Sequence, residues 1–195
     1  MMLDFLLSLD RACFLFINNN LSNPVFDFIM PLFDETKYFI PLMLIPWLFA
    51  IIKDKKNRWQ LAILIPLVII LVDQSGLFIK KTIQRPRPWA GLDPELVNHL
   101  VGEKGRNYSF PSNHAANMAG LATVFSSIYI RFRTIFWVTA GVVMLSRVYI
   151  GVHYPSDVIA GWILGSVYGL LVLQGWYLFK KRYQNQLYFS IIKPL

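Results

Sequence analysis

The chain has 195 residues, of which 55% are hydrophobic and 15% aromatic, and its mean hydropathy is +0.46. This composition is too apolar for an ordinary soluble domain of that length and indicates a protein that crosses a membrane several times. The formal net charge of +8 could suit nucleic acid, but the basic residues stand in short groups at the ends of apolar runs, a pattern that indicates membrane topology and no nucleic-acid partner.

The N-terminal region, residues 1–33, contains two apolar pieces that are both too short to cross a bilayer. Residues 3–17 are interrupted by Asp4, Asp10 and Arg11, so we predict a helix that lies in the membrane interface. Residues 25–33 follow a turn-rich break. No basic residues precede the apolar run at residues 3–17, which argues against a cleaved signal peptide. Met2 stands where N-myristoylation requires glycine, which excludes that lipid anchor. The single cysteine, Cys13, excludes an internal disulfide and a cysteine-based metal site.

Five longer apolar segments follow, and we predict that each spans the membrane. They cover residues 37–52, 59–79, 112–130, 134–151 and 156–179. Pro41 and Pro46 lie inside the first, where neighbouring helices can accommodate kinks. Residues 80–111 form the longest polar region, and residues 184–195 are predicted to be a flexible tail. The predicted fold is therefore an all-α, polytopic transmembrane helix bundle in a single domain, residues 1–195, with about five spans plus the N-terminal interfacial helix.

The charges of the loops predict the orientation of these spans. Alternation places one set of basic residues on the same side, which the positive-inside rule assigns to the cytoplasm: Lys53, Lys55, Lys56, Arg58, Arg131, Arg133, Lys180, Lys181, Arg182 and Lys193. Residues 80–111, the start of the third span and the junction at residues 146–157 then face outward together.

Each of these outward-facing segments carries a polar cluster. In the first, Lys80 to Pro88 (KKTIQRPRP), the basic residues could simply snorkel to the lipid headgroups. In the second, Ser112 could cap the third helix, but capping does not explain His114 in the first turn, where N–H groups form a ready anion site.

The third cluster, residues 146–157, places ionisable side chains between two apolar runs. Burying such groups is costly unless they pair or perform chemistry. Asp157 follows His153 by four residues, so a helix beginning near Tyr154 could bring the carboxylate to the imidazole, fixing its tautomer as a nucleophile or base requires. A structural role is the alternative for His153 alone. Three clusters on one face favour an active site.

These residues resemble the signature motifs of the phosphatidic acid phosphatase type 2 superfamily. Lys80, six intervening residues, Arg87 and Pro88 are similar to the first motif, with Arg85 at the position of a second arginine that many members have. The second motif, Pro-Ser-Gly-His, is matched by Pro111, Ser112 and His114. The third is matched in full by Ser146, Arg147, His153 and Asp157. Asn113 replaces the glycine of the second motif; it keeps the backbone N–H that the family directs at phosphate, and its side chain could narrow the pocket.

The resemblance implies a metal-independent, cofactor-free phosphoryl transfer in two steps. His153 would attack phosphorus to give a phosphohistidine, oriented by Asp157, while His114 protonates the leaving oxygen. The phosphate oxygens would be bound by Lys80, Arg87, Ser112, Asn113 and Arg147. Asp73 lies two turns before Lys80 on the same helical face, and we expect it either to support the basic cluster or to line an internal polar contact. His99 has no motif partner.

The substrate implied by the resemblance is a phosphorylated membrane lipid. The motif form and the compact loop of residues 89–108, with Asp93, Glu95, Lys104 and Arg106, are most similar to bacterial lipid A 1-phosphatases. Undecaprenyl diphosphate, phosphatidylglycerophosphate and lipid-to-lipid phosphotransfer are the alternatives. The resemblance places the protein in the bacterial inner membrane with a periplasmic active site.

Gly161, Gly165 and Gly169 form a stripe that allows close helix approach; packing inside a monomer is favoured over dimerisation.

Overall fold

The computed structural model describes residues 2–102 and 108–192, and its regular elements are helices, as the sequence predicts. Short π-helical or 3₁₀ turns cover Phe16–Asn20, Met30–Phe33, Pro94–Leu96 and Ile130–Phe132. The α-helices are α1 (Met2–Leu15), α2 (Pro24–Ile29), α3 (Thr36–Lys53), α4 (Arg58–Ile83), α5 (Pro88–Gly91), α6 (Asn113–Ile128), α7 (Arg133–Tyr149) and α8 (Pro155–Ile192).

The helices α3, α4, α6, α7 and α8 form the predicted bundle and alternate in direction. At one end, the ring of Phe39 at the start of α3 lies 4.3 Å from that of His114 at the start of α6. At the other end, the Tyr129 hydroxyl after α6 donates a 2.9 Å hydrogen bond to Asp54 after α3. The backbone N–H of Ser112 donates to the carbonyl of Asp157, which brings the starts of α6 and α8 together. The three polar clusters therefore lie at the same end of the bundle.

In the part of the chain that the structure describes, fewer helices than the five predicted spans are long enough to cross a membrane. Among the described residues, three helices are long and apolar enough to cross a membrane by length and composition: Thr36–Lys53, Arg58–Ile83 and Pro155–Tyr183. The other two bundle helices are shorter, with 16 residues in α6 and 17 in α7. The five helices alternate as the prediction of five spans requires, but α6 and α7 are shorter than a span by this measure. The short α6 lies inside the bundle, since its residues 115–125 are all buried.

Small residues allow α6 and α8 to pack in close contact. A Cβ atom added at Gly165 would overlap the backbone carbonyl of Ala116, and one added at Gly169 would lie 2.7 Å from Cβ of Thr123. Gly161 faces the carbonyl of Ser112 in the same way. The glycine stripe of α8 is therefore used for packing within the chain, which was the favoured interpretation of its spacing.

The helix α4 completes the core and packs against both α6 and α8. Leu61, Leu64 and Val68 of α4 are buried with Val124 of α6 and Val143 of α7. The helix α3 stays continuous although Pro41 and Pro46 lie inside it. The buried centre of the bundle thus lies directly below the starts of α6 and α8, which are packed against each other.

The two ends of the chain lie outside the bundle core: α8 extends beyond the predicted span, and the N-terminal region contacts one end of the bundle. The helix α8 continues to Ile192, whereas the sequence predicted a span ending at residue 179 and a flexible tail from residue 184. Near the N-terminus, the buried Phe14 packs against Tyr154, with ring centroids 5.5 Å apart. The side-chain amide of the buried Asn18 donates to the carbonyls of Asn98 and Tyr149. The N-terminal region thus docks onto the end of the bundle that carries the polar clusters.

Candidate active site

A cavity of about 300 Å³ opens where α4 ends and where α6 and α8 begin, and all three polar clusters contribute to it. Of the residues that the sequence singled out, Lys80, Arg87, Asn113, His114, Arg147 and His153 line it. Asp157 lies directly behind His153. The remaining lining residues are Asp34, Thr36, Trp89, His99, Val101, Gly102 and Val152.

Lys80 lies in the last turn of α4 and points into the protein. Its side chain is buried, and Nζ donates to the carbonyl of Ser109, at 3.0 Å, and to that of Pro111. A cation at a helix C-terminus is also favoured by the helix dipole. The snorkelling alternative therefore does not apply to Lys80, although the neighbouring Lys81 is exposed.

Arg87 follows a sharp turn of the backbone after α4. Gln84 adopts a left-handed conformation with φ of 53° and ends the helix, which turns the chain back toward the bundle. Nη1 of Arg87 lies 3.5 Å from the carbonyl of Val152. Burial and the nearby Arg147 lower the pKa of Arg87. The ordinary pKa of an arginine guanidinium is so high that Arg87 stays positively charged in the cavity despite this decrease.

Two residues of the second motif have different positions: Ser112 caps α6 and His114 lines the cavity. Ser112 is fully buried and caps α6, its Oγ accepting from the N–H of Ala115 at 3.4 Å. His114 lines the cavity with its ring against Phe39. Phosphate binding by Ser112 stays a prediction, since its side chain does not line the cavity.

Asp73 binds two asparagine side chains of α6. Its Oδ1 accepts hydrogen bonds from the amide groups of Asn113, at 3.0 Å, and Asn117, at 3.1 Å. Of the two roles expected for Asp73, the internal polar contact is the one that these bonds describe. The side chain of Asn113 also packs against Gly76, where a Cβ atom would lie 2.6 Å from Oδ1 of the asparagine. Asn113 is thus held against α4 while it lines the cavity.

His153 and Asp157 are brought together as the four-residue spacing predicts. Nδ1 of His153 lies 3.5 Å from Oδ2 of Asp157, which is within ion-pair distance but longer than a usual hydrogen bond. Oδ2 also accepts the backbone N–H of Tyr154 at 2.8 Å. His153 is only 2% exposed and Asp157 0%. With Nδ1 turned toward the carboxylate, Nε2 is the nitrogen available for chemistry.

Burial and nearby cations keep the imidazole of His153 neutral. Desolvation lowers its pKa well below the ordinary value, and Arg87, Arg147 and Lys80 lower it further. A neutral imidazole is the form that can act as a nucleophile. The cations that suit a phosphate therefore also keep the histidine in its reactive form.

Arg147 is paired with an acidic residue that the sequence reasoning missed. Its Nη2 donates a 2.6 Å hydrogen bond to Oδ1 of Asp34, which precedes α3 and lines the cavity. Within the described part of the chain, Nε and Nη1 of Arg147 have no hydrogen-bond partner, although the side chain is buried. Asp34 stands in no motif, so no sequence signal pointed to it.

Arg85 supports the site from outside the cavity. Its Nη1 donates to Oδ1 of Asp157 at 2.7 Å, and its Nη2 donates to Oδ2 of Asp10 at 2.6 Å. The expected supporting role of Arg85 thus has a definite partner in Asp157. Asp10, in α1, is the second acidic residue that sequence reasoning did not connect to the site.

An aromatic pair forms another wall of the cavity. The rings of Trp89 and His99 stack with centroids 5.3 Å apart and planes 7° apart. His99 therefore lies at the site, although it has no motif partner in the sequence. Lys104 and Arg106 of the same loop lie outside the described residues. No group of three or more His, Cys, Asp or Glu side chains that could hold a metal ion occurs within residues 2–102 and 108–192.

The chain is similar to known proteins of one family. Residues 57–181 match the PAP2 superfamily. A lipid A 4′-phosphatase from Bacteroides thetaiotaomicron is 32% identical over 183 residues, which cover 87% of this chain and 78% of that protein. An undecaprenyl-diphosphatase from Sulfolobus acidocaldarius is 31% identical over 140 residues, covering 71% of this chain and 66% of that protein. The crystal structure of Aquifex aeolicus LpxE superimposes with a TM-score of 0.71 at 28% identity, covering 85% of this chain and 95% of that chain.

Proposed function

The chain belongs to the PAP2 superfamily and is a membrane lipid phosphatase, and we propose that it removes a phosphate from lipid A through a phosphohistidine intermediate. The observation that carries this proposal is the cavity in which two histidines, His114 and His153, lie among the cations Lys80, Arg87 and Arg147. Phosphoryl transfer requires little more of a protein than positioning and compensation of the charge on the equatorial oxygens.

In the first step, Nε2 of His153 attacks phosphorus in line with the bond to the lipid oxygen. The N–P bond forms as the P–O bond breaks, and His114 donates a proton to the departing oxygen. Asp157 stabilises the positive charge that develops on the imidazole of His153. The cations compensate the charge of the phosphoryl oxygens in a site from which water is partly excluded.

In the second step, water attacks the phosphohistidine. His114, now neutral, takes a proton from the water, the N–P bond breaks, and inorganic phosphate leaves. A phosphotransferase would differ only in using a second lipid hydroxyl in place of water. Hydrolysis and phosphotransfer therefore share the first step and differ in the molecule that accepts the phosphate in the second.

Support for lipid A comes from the relatives and from the size of the site. A cavity of about 300 Å³ is at the small end of ligand pockets, which suits a phosphate and the sugar that carries it, with the acyl chains left in the bilayer. The form of the motifs suggested the 1-phosphate, while the Bacteroides relative is named for the 4′-phosphate. Both positions belong in the assay.

The charge distribution supports a periplasmic site in a bacterial inner membrane. The basic residues Lys53, Lys55, Lys56, Arg58, Arg131 and Arg133 lie around the end of the bundle where Asp54 meets Tyr129, opposite the cavity. By the positive-inside rule that end faces the cytoplasm, so the cavity faces outward.

The substrate is tested by phosphate release from a panel of pure lipids in detergent: lipid A phosphorylated at position 1 only or 4′ only, undecaprenyl diphosphate, phosphatidylglycerophosphate and phosphatidic acid. We expect the highest kcat/KM with one of the two lipid A species. A clear preference for undecaprenyl diphosphate would overturn the lipid A proposal and leave the phosphatase intact. Phosphate transfer to added lipid without release would assign the enzyme as a transferase.

The roles of the two histidines are separated by the leaving group. With p-nitrophenyl phosphate, whose leaving group needs no proton, we expect His114→Ala to retain a substantial part of the activity, whereas with a lipid phosphate it loses nearly all. His153→Ala should be inactive on both substrates and should form no acid-labile phosphoenzyme. Phosphoenzyme formation in His153→Ala would contradict the proposed nucleophile.

A further inference from the structure

Asp10, in the N-terminal helix α1, binds the start of α8 through both carboxylate oxygens. Its Oδ1 accepts the backbone N–H of Ser156 at 2.8 Å, and its Oδ2 accepts the Ser156 hydroxyl at 2.6 Å. Oδ2 also accepts Nη2 of Arg85 at 2.6 Å, and the Asp10 side chain is only 9% exposed. A side chain from a distant helix thus satisfies a first-turn N–H of α8, as an N-cap residue would.

The ion pair of Asp10 continues to the residues proposed for catalysis. Arg85 donates from its other terminal nitrogen, Nη1, to Oδ1 of Asp157 at 2.7 Å. Its guanidinium carbon also lies 4.0 Å from the centre of the Tyr154 ring, a cation–π contact. The second oxygen of Asp157 faces Nδ1 of His153. Asp10, Arg85 and Asp157 are therefore joined by charged hydrogen bonds, and Asp157 in turn lies 3.5 Å from Nδ1 of His153.

We propose that Asp10 is a positioning residue that acts through Arg85 to keep Asp157 correctly placed behind His153. The match to the family begins at residue 57, so this contribution comes from a part of the chain that the family match does not cover. The inference rests on the proposed function, because it takes His153 as the nucleophile.

The physical reason is that one arginine is shared between two carboxylates. While Asp10 holds Nη2, Arg85 is fixed in place, and its charge is divided between Asp10 and Asp157. Without the charge of Asp10, Asp157 is, among the described residues, the one carboxylate left to Arg85, whose Nη1 also donates to the Ser156 hydroxyl at 2.7 Å, and Arg85 draws this carboxylate toward itself. The separation between Asp157 and His153 is already 3.5 Å, so a further shift weakens the stabilisation of the imidazole cation.

The substitution Asp10→Asn separates this role from helix capping. Asparagine keeps an oxygen that can accept the N–H of Ser156, and it is as good a capping residue as aspartate, but it carries no charge for Arg85. The phosphate-binding cations are untouched. We expect kcat to fall about tenfold while KM changes less than about twofold, because the loss acts on the developing charge of the transition state and not on ground-state binding.

The matched control is Asp4→Asn, which removes the same charge from an exposed position of the same helix. The second comparison is a double-variant cycle with Arg85→Gln. If Asp10 acts through Arg85, the double variant Asp10→Asn/Arg85→Gln has the same kcat as Arg85→Gln alone. Activities are normalised to folded protein by gel filtration and thermal unfolding.

The outcomes are distinct from those that test the proposed function. Wild-type kcat in Asp10→Asn, with His153→Ala inactive, overturns this inference alone. The inference also fails if Asp10→Asn lowers kcat by an equal factor in the Arg85→Gln background, because Asp10 would then act independently of Arg85. Full activity in His153→Ala would instead remove the proposed nucleophile.

Discussion

The carboxylate of Asp34 accepts a 2.6 Å hydrogen bond from Nη2 of Arg147, so an acidic side chain holds one edge of a guanidinium that lines the cavity proposed for phosphate. Arginine binds phosphate best when two of its N–H groups lie along one edge of the fork. Nε and Nη1 of Arg147 have no partner among the described residues. Nη2 shares one edge of the fork with each of them, so the edge that Asp34 does not occupy keeps two N–H groups for an anion. Asp34 thus fixes the orientation of Arg147 and also places a negative charge beside the site.

The first prediction concerns this pair. Asp34→Asn should lower the thermal stability of the free protein, because breaking a buried ion pair costs about 3–5 kcal/mol. Inorganic phosphate should restore more of the Tm in this variant than it adds to the wild type, since the anion supplies the missing negative charge. The measurement is thermal unfolding in detergent with and without phosphate, with Glu95→Gln as an exposed control. Equal phosphate-induced shifts in wild type and Asp34→Asn would show that Asp34 does not balance Arg147.

The second prediction concerns the contact between α6 and α8. Gly165→Ala should strongly destabilise the protein and abolish activity, because the new Cβ would overlap the backbone carbonyl of Ala116 and force the helices apart. Gly175→Ala, farther along the same helix, meets nothing within 4 Å and should be neutral or stabilising by about 0.5–1 kcal/mol. Comparing the Tm of the two variants checks this. A folded, active Gly165→Ala variant would mean that the starts of α6 and α8 are not fixed by this packing.

The third prediction concerns pH. Burial and cations hold the pKa of His153 well below its ordinary value of about 6.5. The imidazole should therefore still be neutral when the pH falls somewhat below that value, and the enzyme should keep its activity there. Removing a cation reverses part of this effect: Arg87→Gln should raise the pKa of His153 and move the acid limb of kcat/KM to higher pH. Arg131→Gln, at the other end of the bundle, serves as control, and the titration of the substrate is common to all variants. An acid limb unchanged in Arg87→Gln would show that this charge does not act on His153.

The same shift has a consequence for stability. Because the folded pKa of His153 is depressed, the unfolded state binds more protons than the folded state at any pH between the two pKa values. Stability should therefore fall as the pH drops below the unfolded value of about 6.5. In His153→Ala this part of the acid destabilisation should disappear, which denaturant unfolding at several pH values can measure.

The fourth prediction concerns the asparagine that replaces a family glycine. Asn113→Gly removes one of the two amide groups that bind Asp73, and leaving a partly buried carboxylate short of a donor should cost about 1–3 kcal/mol. The backbone N–H of residue 113 remains, so the inhibition constant of inorganic phosphate should change little. Unchanged stability combined with weaker phosphate inhibition would instead assign the asparagine side chain to the anion site.

The helical fold and most of the candidate site could be predicted from the order of the residues alone. The apolar runs are long, and their period and length are local properties, so the five bundle helices and their alternation followed directly. The motifs are also local: a four-residue spacing brings Asp157 to His153 on any helix that begins near Tyr154. The alternating directions of the helices then bring Lys80, Arg87, His114 and Arg147 to one end.

The residues that support this site became visible only in the folded chain. Asp10 meets Arg85 across 75 positions of the chain, and Asp34 meets Arg147 across 113. No periodic or motif signal marks either carboxylate, because such pairs depend on how the N-terminal region docks onto the finished bundle. Asp73 was singled out by the sequence, but its partners Asn113 and Asn117 follow from the packing of α4 on α6. Local pattern limits which residues can do the chemistry, and the docking of distant segments sets the charges that surround them.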